Sequence, residues 1–506
     1  FKGQSGEKDA WSSPLKKDLR GVHGIKSILE DHDDETLHAL MTNLAGHDME
    51  AVLEAFHSVA DDTPQCFIAY TIKGHGTPLA GHRDNHAGLM NLEQMDVFRS
   101  KMQIPEGSEW SAYDNLLIEP ETAKNFCLQA PFNKIPPQEN EPPKITIPDN
   151  LPLNFRSSTS TQASFGNILH EVSRGNTDLA SRIVTTSPDV TVSTNLVPWV
   201  NQRGVFSLDV RNDVFRDEKV ASAQKWLRHG TGQHFELGIA ENNLFIMLAA
   251  LGLSGPLFGT RLLPIGTLYD PFIARGLDSL NYACYQDARF MLVATPAGIT
   301  LAPEGGAHQS ISSPLIGIGQ PGLSSYEPAY ADELAVIMRW AFEYMQAEKG
   351  GSIYLRLSTR AIDQPSREMK PELENQIIKG AYWHIPPTDG ARIAIVYSGA
   401  VVPEVIEAYE QLKEEIPELG IMAITSYDRL YHDWQRSQVE NIEGRNNIDC
   451  HIINLLAPLH SNAILITVQD AHPATLSWLG SATGRKLLPL GVTEFGQSGN
   501  IQDLYR

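Results

Sequence analysis

Four stretches of the chain gather side chains of a kind that can do chemistry. The first, Lys73-Gly-His-Gly-Thr-Pro-Leu-Ala-Gly-His-Arg-Asp-Asn-His-Ala-Gly, spaces His75, His82 and His86 among four glycines just past an apolar run. Imidazoles there can donate to a substrate carbonyl or move protons. A glycine-rich surface loop with incidental histidines is the plain alternative, and a zinc site lacks the usual cysteine or helical His-x-x-x-His context. The second, Gln233-His-Phe-Glu-Leu-Gly-Ile-Ala-Glu-Asn-Asn, puts Glu236 and Glu241 five positions apart at the mouth of an apolar helix. A carboxyl so placed either caps the helix or, if buried, gains proton affinity and can carry a proton. The third, Thr295-Pro-Ala-Gly-Ile-Thr-Leu-Ala-Pro-Glu-Gly-Gly-Ala-His-Gln-Ser, repeats the layout of the first, with a small-residue loop ending in His308. The fourth, Thr267-Leu-Tyr-Asp-Pro-Phe-Ile-Ala-Arg-Gly, offers Tyr269 or Phe272 to a flat heterocycle, or to ordinary core packing.

These stretches need a scaffold, and the apolar pattern supplies one. Leu37, Leu40 and Met41 have helical spacing, as do Met49, Val52, Leu53 and Phe56. Gln65-Cys-Phe-Ile-Ala-Tyr-Thr-Ile reads as a buried strand, which with the preceding helices makes half of a parallel α/β unit. Prolines at 131, 136, 137, 142, 143, 148 and 152 remove backbone donors and mark a linker. Beyond it, helices are expected over Ser164–Val172, Glu236–Leu253, Ala331–Met345 and Val402–Glu415. Strands are expected over Ile183–Val190, Phe290–Thr295, Ser352–Leu357, Arg392–Gly399, Ile421–Ser426 and Ala463–Asp470. The polar stretch Asp363–Asn375 is a second boundary. The expected fold is three parallel-sheet α/β blocks, whose loops beyond the strand ends are the usual ligand sites.

At roughly 150 residues per domain, 506 residues fit about three domains. The balance of 40 Lys+Arg against 61 Asp+Glu gives −21, a surface that repels nucleic-acid backbones. Cys66, Cys127, Cys284 and Cys450 show no CxxC spacing, which argues against a zinc or disulfide framework and fits a reducing cytoplasm. The longest apolar run, Leu244–Leu253, is too short to span a membrane and reads as a buried helix. The chain starts at Phe1 without a Met or a signal segment and ends at Arg506, just after a Gly-rich loop entering a helix.

In content and order these stretches resemble the transketolase-like family of thiamine-diphosphate enzymes. Gly238-Ile-Ala-Glu241 resembles the family's Gly-x-x-Glu. Ser187-Pro-Asp-Val-Thr-Val-Ser-Thr-Asn-Leu resembles its Ser-x-Asp-Leu-Thr-x-Ser-Asn-Leu. Glu304-Gly-Gly-Ala-His-Gln resembles its active-site histidine loop. Asp34–Asn91, Glu333-Leu-Ala-Val-Ile-Met-Arg-Trp and Gly496-Gln-Ser-Gly-Asn are similar to the homodimeric bacterial pyruvate dehydrogenases, the decarboxylating first component of the 2-oxoacid dehydrogenase complex.

The resemblance implies a three-domain α/β architecture. Residues 1–125 would be the C-terminal part of a diphosphate-binding domain, 126–152 a linker, 153–365 a pyrimidine-binding domain and 377–506 an incomplete C-terminal domain. It implies Glu241 as the carboxyl that activates the cofactor. His308, His86 and His82 would handle substrate and protons, Asp189 would lie near the thiazolium, and Tyr269, then Phe272, would stack. Arg360, in Leu357-Ser-Thr-Arg, could meet substrate, or a sugar phosphate in a transketolase. The implied cofactors are thiamine diphosphate and Mg2+. The implied partners are a second copy of the chain and a lipoyl-bearing dihydrolipoyl acyltransferase, with no nucleic acid and no membrane. The family's Gly-Asp-Gly…Asn metal-diphosphate motif is absent from this sequence, so metal ligands are expected on a missing N-terminal fragment or another chain. Transketolase activity and a non-catalytic remnant are the alternative readings.

Overall fold

The computed structural model describes residues 16, 18–19, 21–134, 140–154, 157–210, 217–219, 222–445 and 449–505. Phe1, Pro136, Pro137 and Arg506 lie outside them. Two units emerge, Phe1–Pro137 and Gln138–Arg506, and the division falls inside the proline-rich stretch.

The first unit holds helices Lys26–Asp31, Asp34–Thr42, Met49–His57, Leu92–Lys101 and Pro120–Leu128. The Asp48 carboxylate caps the third by accepting from the Glu50 and Ala51 N–H groups. Among the described residues of this unit no strand forms. Residues 65–72 run extended but unpaired, with Ile68 79% and Tyr70 72% exposed, so the expected buried strand is corrected to an open segment. A strand needs a neighbour to satisfy its backbone, and this unit offers none.

The second unit is built on parallel sheet. Strands β1 (Ile183–Ser187), β2 (Val205–Phe206), β3 (Arg228–His229), β4 (His234–Glu236), β5 (Leu263–Leu268), β6 (Met291–Ala294), β7 (Leu323–Tyr326) and β8 (Ser352–Arg356) lie in the order β3-β2-β4-β1-β5-β6-β8-β7. All seven neighbour pairs are parallel. Strands β9 (Ala381–Ile385), β10 (Ile393–Ser398), β11 (Gly420–Ile424), β12 (Ile464–Gln469) and β13 (Lys486–Leu490) form a second sheet, β9-β11-β10-β12-β13, with only β9 antiparallel. β1, β5, β6, β7 and β8 are buried along their whole length, as expected of a sheet covered on both faces.

Helices cover the sheets by the usual apolar stripe. In Thr161–Arg174 the buried Phe165, Ile168, Leu169 and Val172 recur at i, i+3, i+4, i+7, and the Ser160 hydroxyl caps its N-terminus. Glu241–Gly252 packs closest to the sheet at Gly266 of β5, where a Cβ would meet Leu248 Cδ1 at 2.6 Å. The expected helix over Glu236–Leu253 is corrected in two ways. Glu236 ends strand β4 and residues 237–240 are a loop, and only one face is buried: Leu244, Phe245 and Leu248 turn inward while Ile246 is 54% exposed. The Asp363–Asn375 boundary contains the start of helix Pro371–Lys379, which leads into the second sheet. Among the described residues no helix is long and apolar enough to cross a membrane.

Candidate active site

The carboxyl ends of β1, β4, β5 and β6 feed the loops that carry most of the residues singled out above. Glu241 is the first residue of helix Glu241–Gly252, five positions after β4 ends, and it is buried. After β5 the chain enters a 3-10 helix, Asp270–Gly276. Side chains three apart eclipse in that geometry. Tyr269, Phe272 and Arg275 therefore fall in one row. The Tyr269 and Phe272 rings are 5.7 Å apart at 23°, and the Arg275 guanidinium lies 3.7 Å over the Phe272 ring. The same guanidinium donates to Glu241 Oε1. The His308 ring meets the Phe272 edge at 5.5 Å and 72°. One connected set results: Glu241, Arg275, Phe272, Tyr269 and His308.

His308 sits on a short turn, Gly306–His308, after β6. The turn is braced by residues near the chain's other end. Gly306 N–H donates to Gly496 O at 3.2 Å, the Gln309 amide to Gln497 O at 3.1 Å, and the Ser498 hydroxyl to Glu304 O at 3.0 Å. Gly305 permits this with φ +62°, and a Cβ there would stand 2.3 Å from Ser498 N.

Directly after Tyr269, Asp270 turns inward and is fully buried. It accepts from Arg356 Nε at 2.9 Å, from the Ser313 hydroxyl at 2.5 Å, and from the Ser310 and Tyr354 hydroxyls. Arg356, at the end of β8, also donates to Glu327 Oε1 at 2.7 Å. Glu327 accepts from Tyr427 at 2.5 Å. Asp470, at the end of β12, accepts from the Ile299 N–H at 2.9 Å and the Tyr505 hydroxyl at 2.9 Å. Burial raises the Glu327 and Asp470 carboxyls above their ordinary range, with Arg356 opposing it in both. The Arg356 cluster thus ties together the loop of Tyr269, the loop of His308 and the second sheet.

The remaining expected residues take other places. Asp189, exposed in the turn after β1, has φ +64° and donates its N–H to Glu236 Oε1 at 3.0 Å. Glu236 ends β4 and does not cap a helix. It accepts from Thr191 at 2.6 Å and lies 3.2 Å from His234 Nε2. Burial alone would raise the Glu236 carboxyl, but the hydrogen bonds from His234 and Thr191 outweigh it and hold it low. The Arg360 fork grips Glu404 at 2.8 and 2.5 Å, donates to Ala400 O at 2.9 Å and stacks on Tyr505 at 4.1 Å, and the residue lines a cleft with Thr359 and Pro403. His82 and His86 belong to the first unit, where His82 Nδ1 accepts from the Asp84 N–H and His86 Nδ1 lies 2.9 Å from Lys73 Nζ. Arg275 and the Asp270–Arg356 pair escaped the sequence reading. The three-residue spacing of Tyr269, Phe272 and Arg275 was the available signal for the first. Nothing local marks the second, whose members lie 86 positions apart.

A buried carboxyl beside two stacked rings fits a planar nitrogen heterocycle, one group to hold a ring proton and the others to cover a face. Among the described residues no set of three or more His, Cys, Asp or Glu side chains could hold a metal ion. The fold is a transketolase-like α/β fold. Solved transketolases share the fold: that of Leishmania mexicana is 17% identical with a TM-score of 0.56, over 90% of this chain and 62% of that one. A variant from Pichia stipitis is 15% identical with a TM-score of 0.61, over 91% and 63%. Residues 155–363 match the family model "Pyruvate dehydrogenase E1 component middle domain". The pyruvate dehydrogenase E1 components of Cupriavidus necator and Escherichia coli K12 are 23% and 25% identical over 95% and 94% of this chain, and that of Pseudomonas aeruginosa 27% over 81%. The chain is thus similar to pyruvate dehydrogenase E1 components and shares the fold of transketolases. It spans 56%, 56% and 48% of those three relatives.

Proposed function

We propose that the chain carries the pyrimidine-binding and C-terminal parts of a thiamine-diphosphate-dependent 2-oxoacid dehydrogenase, which decarboxylates pyruvate and passes the acyl group to a lipoyl-bearing acyltransferase. The observation that carries this reading is Glu241, buried beside the stacked Tyr269 and Phe272, with His308 at the ring edge. When bound, thiamine diphosphate supplies the nucleophilic carbon and the electron sink for loss of carbon dioxide. Glu241 holds and returns a proton at the pyrimidine nitrogen, and Tyr269 and Phe272 cover the ring's face. His308 orients the 2-oxoacid and moves its protons, with His86 and His82 as further donors from residues 1–125, read as the tail of the diphosphate domain. Asp189 would lie near the thiazolium. Residues 126–152 serve as the linker, 153–365 as the pyrimidine domain and 377–506 as most of the C-terminal domain. The diphosphate and Mg2+ would be held by a part of the protein outside this sequence, in a cytoplasmic homodimer. Transketolase is the weaker reading, because the sequence similarity lies with pyruvate dehydrogenase E1 components.

The test uses the complete protein containing this chain, with thiamine diphosphate, Mg2+ and pyruvate. Carbon dioxide release with dye reduction is expected, and Glu241→Gln should lower it at least about a hundredfold, the usual scale of a lost acid–base group. Two-carbon transfer from a ketose phosphate without turnover of pyruvate would refute the proposal. So would an undiminished Glu241→Gln variant.

A further inference from the structure

We propose that the cleft between the start of β7 and helix Tyr427–Ile442, remote in sequence from the Glu241 site, binds a small phosphomonoester through Arg429 and Lys379. The cleft measures about 610 Å³ and is lined by Gly322, Tyr344, Lys379, Arg429, His432 and Asp449, among others. That size suits a small organic ligand.

The electrostatics point to an anion. Among the described residues the Arg429 side chain makes no hydrogen bond or ion pair, and its Nε is buried without an acceptor. Its guanidinium is fixed in place by stacking, 4.8 Å over Trp340 and 6.0 Å over Tyr344. An oriented guanidinium with unused donors presents its fork at little further entropic cost. Lys379 is exposed at the end of helix Pro371–Lys379 and has no carboxylate partner among the described residues.

The acids of the cleft are largely engaged. Asp428 is buried and accepts from Ser325 N, Ser325 Oγ and Ser426 Oγ at 2.8–3.0 Å, and burial pushes its carboxyl up. Asp433 accepts from Arg436 and from the His451 N–H at 2.8 Å. Asp449 accepts from the Asn454 amide at 2.6 Å. Arg429 and Lys379, neither in an ion pair among the described residues, offer two positive charges to a phosphate group, and the Tyr344 ring offers a wall for the organic part.

The probe is inorganic phosphate, titrated calorimetrically into the complete protein at constant ionic strength, with chloride as control. Trp340 fluorescence serves as a second readout. Saturable binding is expected, weakened at least about tenfold in Arg429→Met and several-fold in Lys379→Met. Lys379 is exposed, so that variant keeps the fold, and Glu241→Gln should bind phosphate as well as the parent does. No saturable response below roughly 10 mM phosphate would overturn the proposal. Equal affinity in both cleft variants would overturn it, as would a loss of binding in Glu241→Gln.

Discussion

Arg356→Met removes the single guanidinium that Asp270 and Glu327 share in the interior. Arg356 is 2% exposed, and Asp270 and Glu327 are 0% and 6% exposed, so water cannot take its place. Removing one partner of a buried charge pair costs about 3–5 kcal/mol, because the remaining charge is left uncompensated. At roughly 2 °C per kcal/mol for a large domain, the melting temperature should fall by about 6–10 °C at pH 8. The loss should shrink on acidification, since burial raises the proton affinity of Glu327 and a carboxyl that has taken up a proton needs no guanidinium. Asp270→Asn alone should also destabilise. The double variant should cost at least about 1 kcal/mol less than the sum of the two, the signature of direct contact. Hydrogen exchange should quicken around Ser310, whose hydroxyl donates to Asp270, and so in the His308 loop. Calorimetric melting of the four proteins at pH 5 and pH 8 supplies every number. Additive effects, or a single-variant loss below about 1 kcal/mol, would refute the view that this pair is the node joining the two loops.

Other substitutions probe the site from different sides. Gly305→Ala places a methyl 2.3 Å from Ser498 N at a positive φ; it should cost about 1–3 kcal/mol in thermal melting and raise exchange at residues 304–309 and 496–499. Phe272→Leu keeps an apolar side chain but loses the stacked ring; under the proposed function, thiamine diphosphate affinity should fall roughly three- to tenfold in calorimetric titration. Glu236 has a folded-state proton affinity below its unfolded one, so its stabilisation is complete above about pH 4.5 and disappears as the pH falls through the folded value. The stability difference between the parent and Glu236→Gln should therefore narrow on acidification, read from melts between pH 7 and pH 4.

The strands of the second unit were legible because a parallel sheet covered on both faces writes itself as short β-branched runs. Ile183–Ser187, Ser352–Arg356 and Ile393–Ser398 fall inside expected strands. Leu263–Leu268 was hidden by Pro264 and Gly266, residues that ordinarily argue against a central strand, and Gly266 is there for the close approach of Leu248. Leu323–Tyr326 was hidden by two serines, one of which is bound by Asp428 of helix Tyr427–Ile442. Gln65–Ile72 carried the opposite error, because apolar composition alone does not provide a pairing partner. At the candidate site, residue type and loop context single out Glu241, Tyr269, Phe272 and His308 as candidates, and their expected roles come from the family resemblance. Their supports were not visible in the sequence. Arg275 depends on a 3-10 turn, and Asp270–Arg356 on a fold that brings distant strand ends together.

The brace on the His308 turn also bears on the order in which the protein is made. Its hydrogen bonds join residues 188 and 194 positions apart, from Gln309 to Gln497 and from Glu304 to Ser498. A ribosome adding about 5–20 residues per second needs roughly 10–40 s to cover that interval. Once Arg356 has been added, the first sheet can fold with Glu241, Phe272 and the Arg356–Asp270 pair in place, while the histidine loop still has nothing to close against. The site is therefore finished from the far end of the chain, and a nascent polypeptide carries its carboxyl and rings in order well before its histidine.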